Sequence, residues 1–408
     1  MNAYLSLLRT RGVARIIAAQ LVARFPGGML SLGFLIHIEH IFHSYGAAGL
    51  VLAATSVGQA VSGPVTSRWM GRWGMRPVLI LTTAVCAVAL STVALAPVGT
   101  PLWGFMLAGL IAGLSYPPVQ PAVRTIYPKM VNSRQLTPLF SLDASAQEII
   151  WIAGPVVVTL VATQVSTVAG IFLSVFFLVV GGAWFISSPE LGRVRIPRSK
   201  RKLGAVLKRP PVLLATVTGF LLVGACAAIE AGVVATFGEG GGDAGIVLGI
   251  WAVASLVGGL AFGHIPIGPW ALARRMLLVF IGSLLAVFAA GIEFEFWTIS
   301  GALVIAGLGI APALAVMFSI VSASVKFSDT AEAYGWVGTG QLIGAALGSA
   351  VAGFVIDGYG PRGGFVAAAG IALLGFLVPV VFRRAHPDLR GRDASPLPDT
   401  EPVQITPS

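Results

Sequence analysis

SSPELGRVRIPRSKRKLGAVLKRPP, residues 187–211, is the longest polar interruption in the chain, and eight of its residues are Lys or Arg. Reading outward from it, apolar runs of roughly 20 residues recur on both sides, the length a helix needs to cross a bilayer. Six precede it, near 14–37, 46–66, 77–97, 101–123, 138–162 and 167–187. Six follow, near 211–236, 244–265, 275–292, 297–321, 331–356 and 363–382. The pattern predicts an all-α polytopic membrane protein of 12 transmembrane helices in two pseudo-symmetric six-helix bundles. The expected divisions are an N-terminal bundle over 1–187, a basic linker over 188–210, a C-terminal bundle over 211–383 and a tail over 384–408. The tail is rich in Pro, Asp, Arg and Ser without an apolar period, so disorder is expected there.

Composition excludes a soluble protein. The 408 residues are 56% hydrophobic and 10% charged, where a soluble domain carries about 25% charge. The net charge of +10 would suit nucleic acid, but its placement argues against such a partner. With twelve spans, 24 of the 26 Lys and Arg fall at the termini, in the linker or in loops on that same side. Arg362 alone lies opposite, and Arg24 lies within a span. The positive-inside rule then puts both termini in the cytoplasm of a cell (inner) membrane protein. The opening MNAYLSLLRTRGVAR has no small-residue cleavage site after a short apolar run, so no removed signal peptide is expected. Cys86 and Cys226 fall in different spans and read as small core residues.

The two halves echo each other at an offset of 194 or 195. Gln147 and Gly154 match Gln341 and Gly348; Gly113, Leu114 and Pro118 match Gly307, Leu308 and Pro312; Gly63 matches Gly258. One offset shared by equivalent spans points to a parallel duplication.

Twelve spans in two sixes with a basic central loop resemble the major facilitator superfamily. In that family the loop between spans 2 and 3 runs Gly-x-x-x-Asp-Arg-x-Gly-Arg-Arg. GRWGMRPVL, residues 71–79, is similar to its second half, with Arg72, Gly74 and Arg76 in register. Gly71 stands where the family has Asp, and Ser67 where it has the first Gly. The corresponding loop of the second half, GHIPIGPWALARRML, keeps Arg274 and Arg275. In span 5, AGP at 153–155 resembles the core of the antiporter motif. The resemblance implies a secondary transporter working by alternating access, and the AGP motif implies export.

Two carboxylates, Asp143 and Glu148, lie in span 5 at a cost of about 2.5–3.5 kcal/mol each near mid-bilayer. Five residues apart on a helix they are about 140° apart, so they form no paired-carboxylate site. Arg24 in span 1 has a depth similar to that of Glu148, and the two are expected to pair. Arg24, Glu148 and Glu230 are the candidates for proton coupling or substrate binding. Gln59, Tyr116, Gln120, Gln147, Trp151, Tyr334, Trp336 and Gln341 are candidates for lining the central cavity. Arg68, Arg72, Arg76, Arg124, Asp143, Asp329 and Glu332 are candidates for a cytoplasmic gate, with Asp143 latched by Arg124, Arg68 or Arg72. His37, His40 and His43 with Glu39 read as a wet outer loop rather than a metal site. Pro117, Pro118 and Pro121 should bend span 4. Gly340, Gly344, Gly348 and Ala352 form a small-residue stripe that would let another helix approach span 11.

Neither a Gly-x-x-x-x-Gly-Lys-Ser/Thr phosphate loop, a nucleophile elbow nor a metal-ligand spacing occurs, so an enzyme, a cofactor and a metal are not expected. The expected partners are a small-molecule substrate, protons and membrane lipid, with the chain acting as a monomer. Proton-coupled export of a small organic solute is the leading expectation. Uptake of a sugar or small metabolite, and a receptor or assembly role without flux, stay open.

Overall fold

A computed structural model describes residues 2–97, 99–238, 242–292 and 294–399. Twelve of its helices are long and apolar enough to cross a membrane. Spans 1 to 6 are Val13–Phe42, Tyr45–Trp73, Met75–Leu95, Leu102–Lys129, Ser133–Gln164 and Thr167–Ser187. Spans 7 to 12 are Pro210–Phe237, Asp243–Phe262, Ala271–Ala289, Glu295–Ser324, Phe327–Tyr359 and Arg362–Val381. All twelve expected spans are present, and several helices outrun their apolar stretches. Span 5 begins at Ser133 because Asn132 caps it, its side chain accepting from the Gln135 amide at 3.1 Å. Span 2 continues to Trp73, where Gly74, at φ 93°, ends the helix in a conformation that L side chains rarely adopt.

Two spans are broken. Pro26 has no amide to donate, and span 1 divides into Val13–Arg24 and Pro26–Phe42. Span 4 stops at Leu114, passes Pro117 and Pro118 without helical bonds, and resumes at Val119. Pro121 does not contribute to that break, because it sits in the first turn of the resumed helix, where no intrahelical donor is required.

The duplication is visible in the packing. Span 2 packs on span 4 and span 8 on span 10; span 1 packs on span 5 and span 7 on span 11. The repeated glycines are the points of closest approach. A Cβ on Gly113 would lie 2.0 Å from the Thr55 carbonyl oxygen, and one on Gly307 2.5 Å from that of Trp251. Gly154 meets Gly28, and Gly348 meets Gly224, in the same way. The halves join along a seam formed by spans 2 and 11, spans 5 and 8, spans 5 and 10, and the end of span 4 against span 11.

We call the side carrying both termini and the linker the basic face. The tail does not follow expectation up to Asp399. The Leu389 amide donates to the Ile267 carbonyl at 2.9 Å. Leu397 donates to the Val325 carbonyl at 2.9 Å and accepts from the Phe327 amide at 3.1 Å. Asp399 accepts from the Ser328 amide at 3.2 Å, and Leu389 and Ala394 are buried. Interhelical loops leave backbone groups unpaired, and the tail supplies their partners. The rest of the expected disordered tail, 400–408, lies outside the described residues.

Candidate functional site

The break in span 1 falls directly after Arg24, which turns into the first bundle one helical turn beyond Gln20. Asp143, fully buried in span 5, is the hub. It accepts from Arg124 Nε at 2.9 Å, Gln20 Nε2 at 3.1 Å, the Tyr127 hydroxyl at 3.1 Å and Arg24 at 3.4 Å. One turn along, Gln147 Oε1 accepts from Arg24 and, at 3.4 Å, from Arg124. With its amide turned to suit its neighbours, Gln120 accepts from both terminal nitrogens of Arg124, at 2.6 and 2.8 Å. Two guanidiniums thus share one carboxylate, and the neutral amides of Gln20, Gln120 and Gln147 accept further bonds from them. Arg24 keeps 10% of its side chain exposed, Arg124 only 2%.

Arg24 therefore pairs with Asp143 and Gln147, and not with Glu148 as expected. The depth was matched, but helical phase decides the partner. Asp143 and Gln147 are four residues apart and share the face toward span 1, whereas Glu148 is about 100° further round. That turn points Glu148 across the seam, where it accepts from the Ser255 hydroxyl of span 8 at 3.0 Å. Ser255 also accepts from the Ala311 amide of span 10 at 3.2 Å. Glu148 is 8% exposed and has no ion pair among the described residues. Glu230 of span 7 is exposed and also unpaired among the described residues, and it lies within electrostatic reach of Glu148. Both coupling candidates of the acidic type therefore come to one region; Arg24 belongs to a separate cluster.

The seam is closed toward the basic face. Ser141 donates to the Gly259 carbonyl, Thr339 to that of Ala60 at 2.8 Å and Tyr4 to that of Leu260 at 2.9 Å. Arg68 and Glu332, both candidates for the gate, form an ion pair at 2.8 Å. Asp329 engages the linker instead of the loop between spans 2 and 3, through Ser199 at 2.6 Å and Arg201 at 3.8 Å. Glu332 also accepts from the Gly204 amide of the linker at 2.7 Å. Arg72 and Arg76, also gate candidates, form no ion pair with Asp329 or Glu332 among the described residues. Arg72 lies over the Trp73 ring, and Arg76 donates to the Ile186 and Ser188 carbonyls. Arg124 and Asp143 are inside the first bundle, deeper than a surface latch, although Arg124 rests on the ring of Phe318 in span 10 at 3.3 Å.

Of the cavity candidates, Gln120 and Gln147 belong to the Asp143 network. Trp151, one turn beyond Gln147, is 54% exposed. Tyr116 sits in the span 4 break near Gly27, Gln59 is half-buried near Gly113, and Gln341 abuts Gly219. Tyr334 and Trp336 are not cavity-lining. Tyr334 is buried, donates to the Phe318 carbonyl at 3.1 Å and packs on Phe140, while Trp336 lies beneath Gly204 of the linker. Both lie within the first three turns of span 11, too close to the basic face. His37 is buried rather than wet, bonded to Thr167 at 2.9 Å and the Val93 carbonyl at 3.2 Å. No cluster of His, Cys, Asp and Glu suited to a metal occurs among the described residues. Sequence reading missed Gln20, Tyr127 and Ser255. Gln20 was findable from its i, i+4 spacing to Arg24; Ser255 offers no signal without the seam.

Comparison with known proteins bears on the whole chain. A search of curated proteins finds no match. Among solved structures, a bacterial homologue of the iron transporter ferroportin in an outward-facing state matches with TM-score 0.74 at 14% identity, covering 92% of this chain and 100% of that one. The human organic anion transporter MFSD10 (TETRAN) matches with TM-score 0.70 at 16% identity, covering 90% and 99%. The proton:xylose symporter XylE bound to 6-bromo-6-deoxy-D-glucose matches with TM-score 0.70 at 13% identity, covering 94% and 97%. At these identities the likeness is one of fold. The family model for the Major Facilitator Superfamily matches residues 16–292 and 235–404. With its twelve spans, two-bundle packing and this match over nearly the whole length, the chain belongs to the Major Facilitator Superfamily.

Proposed function

We propose that this secondary transporter exports a small organic solute in exchange for protons, and that Glu148 carries the proton. The observation behind this reading is the position of Glu148 on the seam, hydrogen-bonded to the opposite bundle by Ser255 and without a basic partner among the described residues. A buried carboxylate that lacks a cation is costly, and the cost falls when water reaches it. Rocking of the bundles separates Glu148 from Ser255 and changes its hydration, so proton binding and seam closure become linked. Glu230, nearby and exposed, serves as the point of exchange with water. The hydrogen bonds of the Asp143 network stay within one bundle and move with it; Arg24 at its rim offers a donor to the solute. Export rests on the AGP motif of span 5. The sidedness of Lys and Arg supports a cell-membrane location with the basic face in the cytoplasm. XylE, a proton:xylose symporter, supports proton coupling as something this fold accommodates.

The test uses proteoliposomes with a trapped pH dye, a panel of candidate solutes and the Glu148→Gln variant. Wild-type protein should move protons when its solute is added. The variant should lose accumulation driven by a pH gradient yet keep part of its solute counterflow. A variant that still concentrates solute under a proton-motive force would remove Glu148 as the coupling group.

A further inference from the structure

Beside the Arg68–Glu332 contact, the basic face holds a pocket of about 540 Å³ lined by Arg68, Trp69, Arg72, Arg198, Ser199 and Lys200. Four of these side chains are cationic and none is acidic. Arg68 is already matched by Glu332, and Ser199 is engaged with Asp329. Arg72, Arg198 and Lys200 have no acidic partner among the described residues. Three uncompensated like charges around one hollow repel each other, and an anion relieves that repulsion. The volume lies within the range of about 300–1,000 Å³ typical of small-molecule sites. It exceeds what a lone phosphate needs.

The aromatic residues indicate where the mouth lies. Trp69 and Trp73, with ring centroids 5.1 Å apart, stand in the last turns of span 2, and Trp73 is 50% exposed. Tryptophan at the end of a span settles at headgroup level. The cations come from two separate elements, the end of span 2 and the linker, so the pocket is a cleft between them rather than a run of charge on one helix.

We propose that this cleft binds the phosphate headgroup of an anionic phospholipid. Arg72 and Arg198 each present a planar fork that matches phosphate oxygens, and Lys200 adds a point charge. Trp69 packs against the glycerol end. A headgroup held there ties the linker to span 2.

The test uses the full chain in phosphatidylcholine nanodiscs with and without 20 mol% phosphatidylglycerol, and native mass spectrometry to count lipid retained. Wild-type protein should retain phosphatidylglycerol in preference to phosphatidylcholine, with retention falling as salt rises. The triple variant Arg72→Gln, Arg198→Gln, Lys200→Gln should weaken that retention at least tenfold. Lys200→Gln alone, on an exposed linker position, should weaken it several-fold with an unchanged melting temperature, which separates ligand loss from misfolding. Equal retention by wild type and Lys200→Gln would overturn the proposal. So would inorganic phosphate binding to the phosphatidylcholine nanodiscs as tightly as phosphatidylglycerol does, which would give the pocket to a soluble anion.

Discussion

The two bundles share one fold and differ in where they carry charge. At the offset of 194, Arg24, Arg124, Asp143 and Glu148 of the first bundle correspond to Thr218, Phe318, Val337 and Leu342 of the second. The first bundle is built around a charged hub; the second, at the same places, carries no charge. Close approach of small residues is common to both bundles, and in the second it lies along spans 7 and 11 with no charge beside it: Cβ atoms on Gly340, Gly344 and Gly348 would lie 2.9, 2.1 and 2.1 Å from carbonyl oxygens of span 7. Arg124 even lies over its own counterpart, Phe318. The difference teaches that a duplicated scaffold can divide its labour. One copy holds charge out of the lipid, and the other supplies a smooth, tightly packed partner for it to move against.

The strongest way to break this comparison is Asp143→Asn. It leaves two guanidiniums facing an amide, and breaking a buried pair costs about 3–5 kcal/mol. Thermal unfolding in detergent should show a large loss for this variant and a much smaller one for the counterpart change Val337→Ala. Equal losses would end the distinction between the bundles.

Gly344→Ala probes the other side of the contrast. Its Cβ would lie 2.1 Å from the Phe220 carbonyl oxygen, so spans 7 and 11 must separate, at about 1–3 kcal/mol. A melting temperature unchanged from wild type would show that close packing is not what holds the second bundle.

A weaker effect is expected where the bundles meet. Reversing Asp329 and Glu332 to Lys removes contacts with Arg201 and Arg68, each pair worth about 0–1 kcal/mol. In a background with Cys86 and Cys226 replaced by Ala, a cysteine at Ser145 on the seam should then react with maleimide several times faster. An unchanged rate in a folded protein would reject the gate.

The smallest effect concerns the rim of the charged bundle. Burial works to raise the Glu190 carboxyl, but the Arg15 hydrogen bond, its own backbone amide and the charges of Arg15 and Arg193 together hold it below the usual range. A depressed carboxyl stabilises the fold above its unfolded value of about 4.3, and that contribution is lost as pH falls through the folded value. Because Arg15 is 46% exposed, less than about 1 kcal/mol is at stake. The melting-temperature difference between wild type and Glu190→Gln should be present at pH 7 and be lost as pH falls through the lowered folded value. A difference that persists in acid would assign it to packing.

What could be read in the sequence follows from geometry. Span number and the break in span 4 depend on one dimension, position along the chain, and both are legible there. Depth is also linear, which is why Arg24 and Glu148 matched in level. Azimuth is not: a step of one residue, from Gln147 to Glu148, moves a side chain from the Arg24 network to Ser255 in the other bundle. Trp336 and Tyr334 were misplaced because the linker and Phe318 that cover them come from distant sequence. The packed part of the tail was missed because backbone pairing with Ile267 and Val325 leaves no trace in composition.

That tail carries a consequence for biosynthesis. The loops it secures, at Ile267 and Val325–Ser328, are translated well before Leu389, Leu397 and Asp399 emerge. A ribosome adds about 5–20 residues per second, and earlier segments begin to fold as they appear. The first bundle, the linker and span 11 can therefore meet while the loop before span 11 still lacks its last partners. This gives the newly made protein an interval, ending when Leu389, Leu397 and Asp399 emerge, in which its basic face is assembled but not yet fastened.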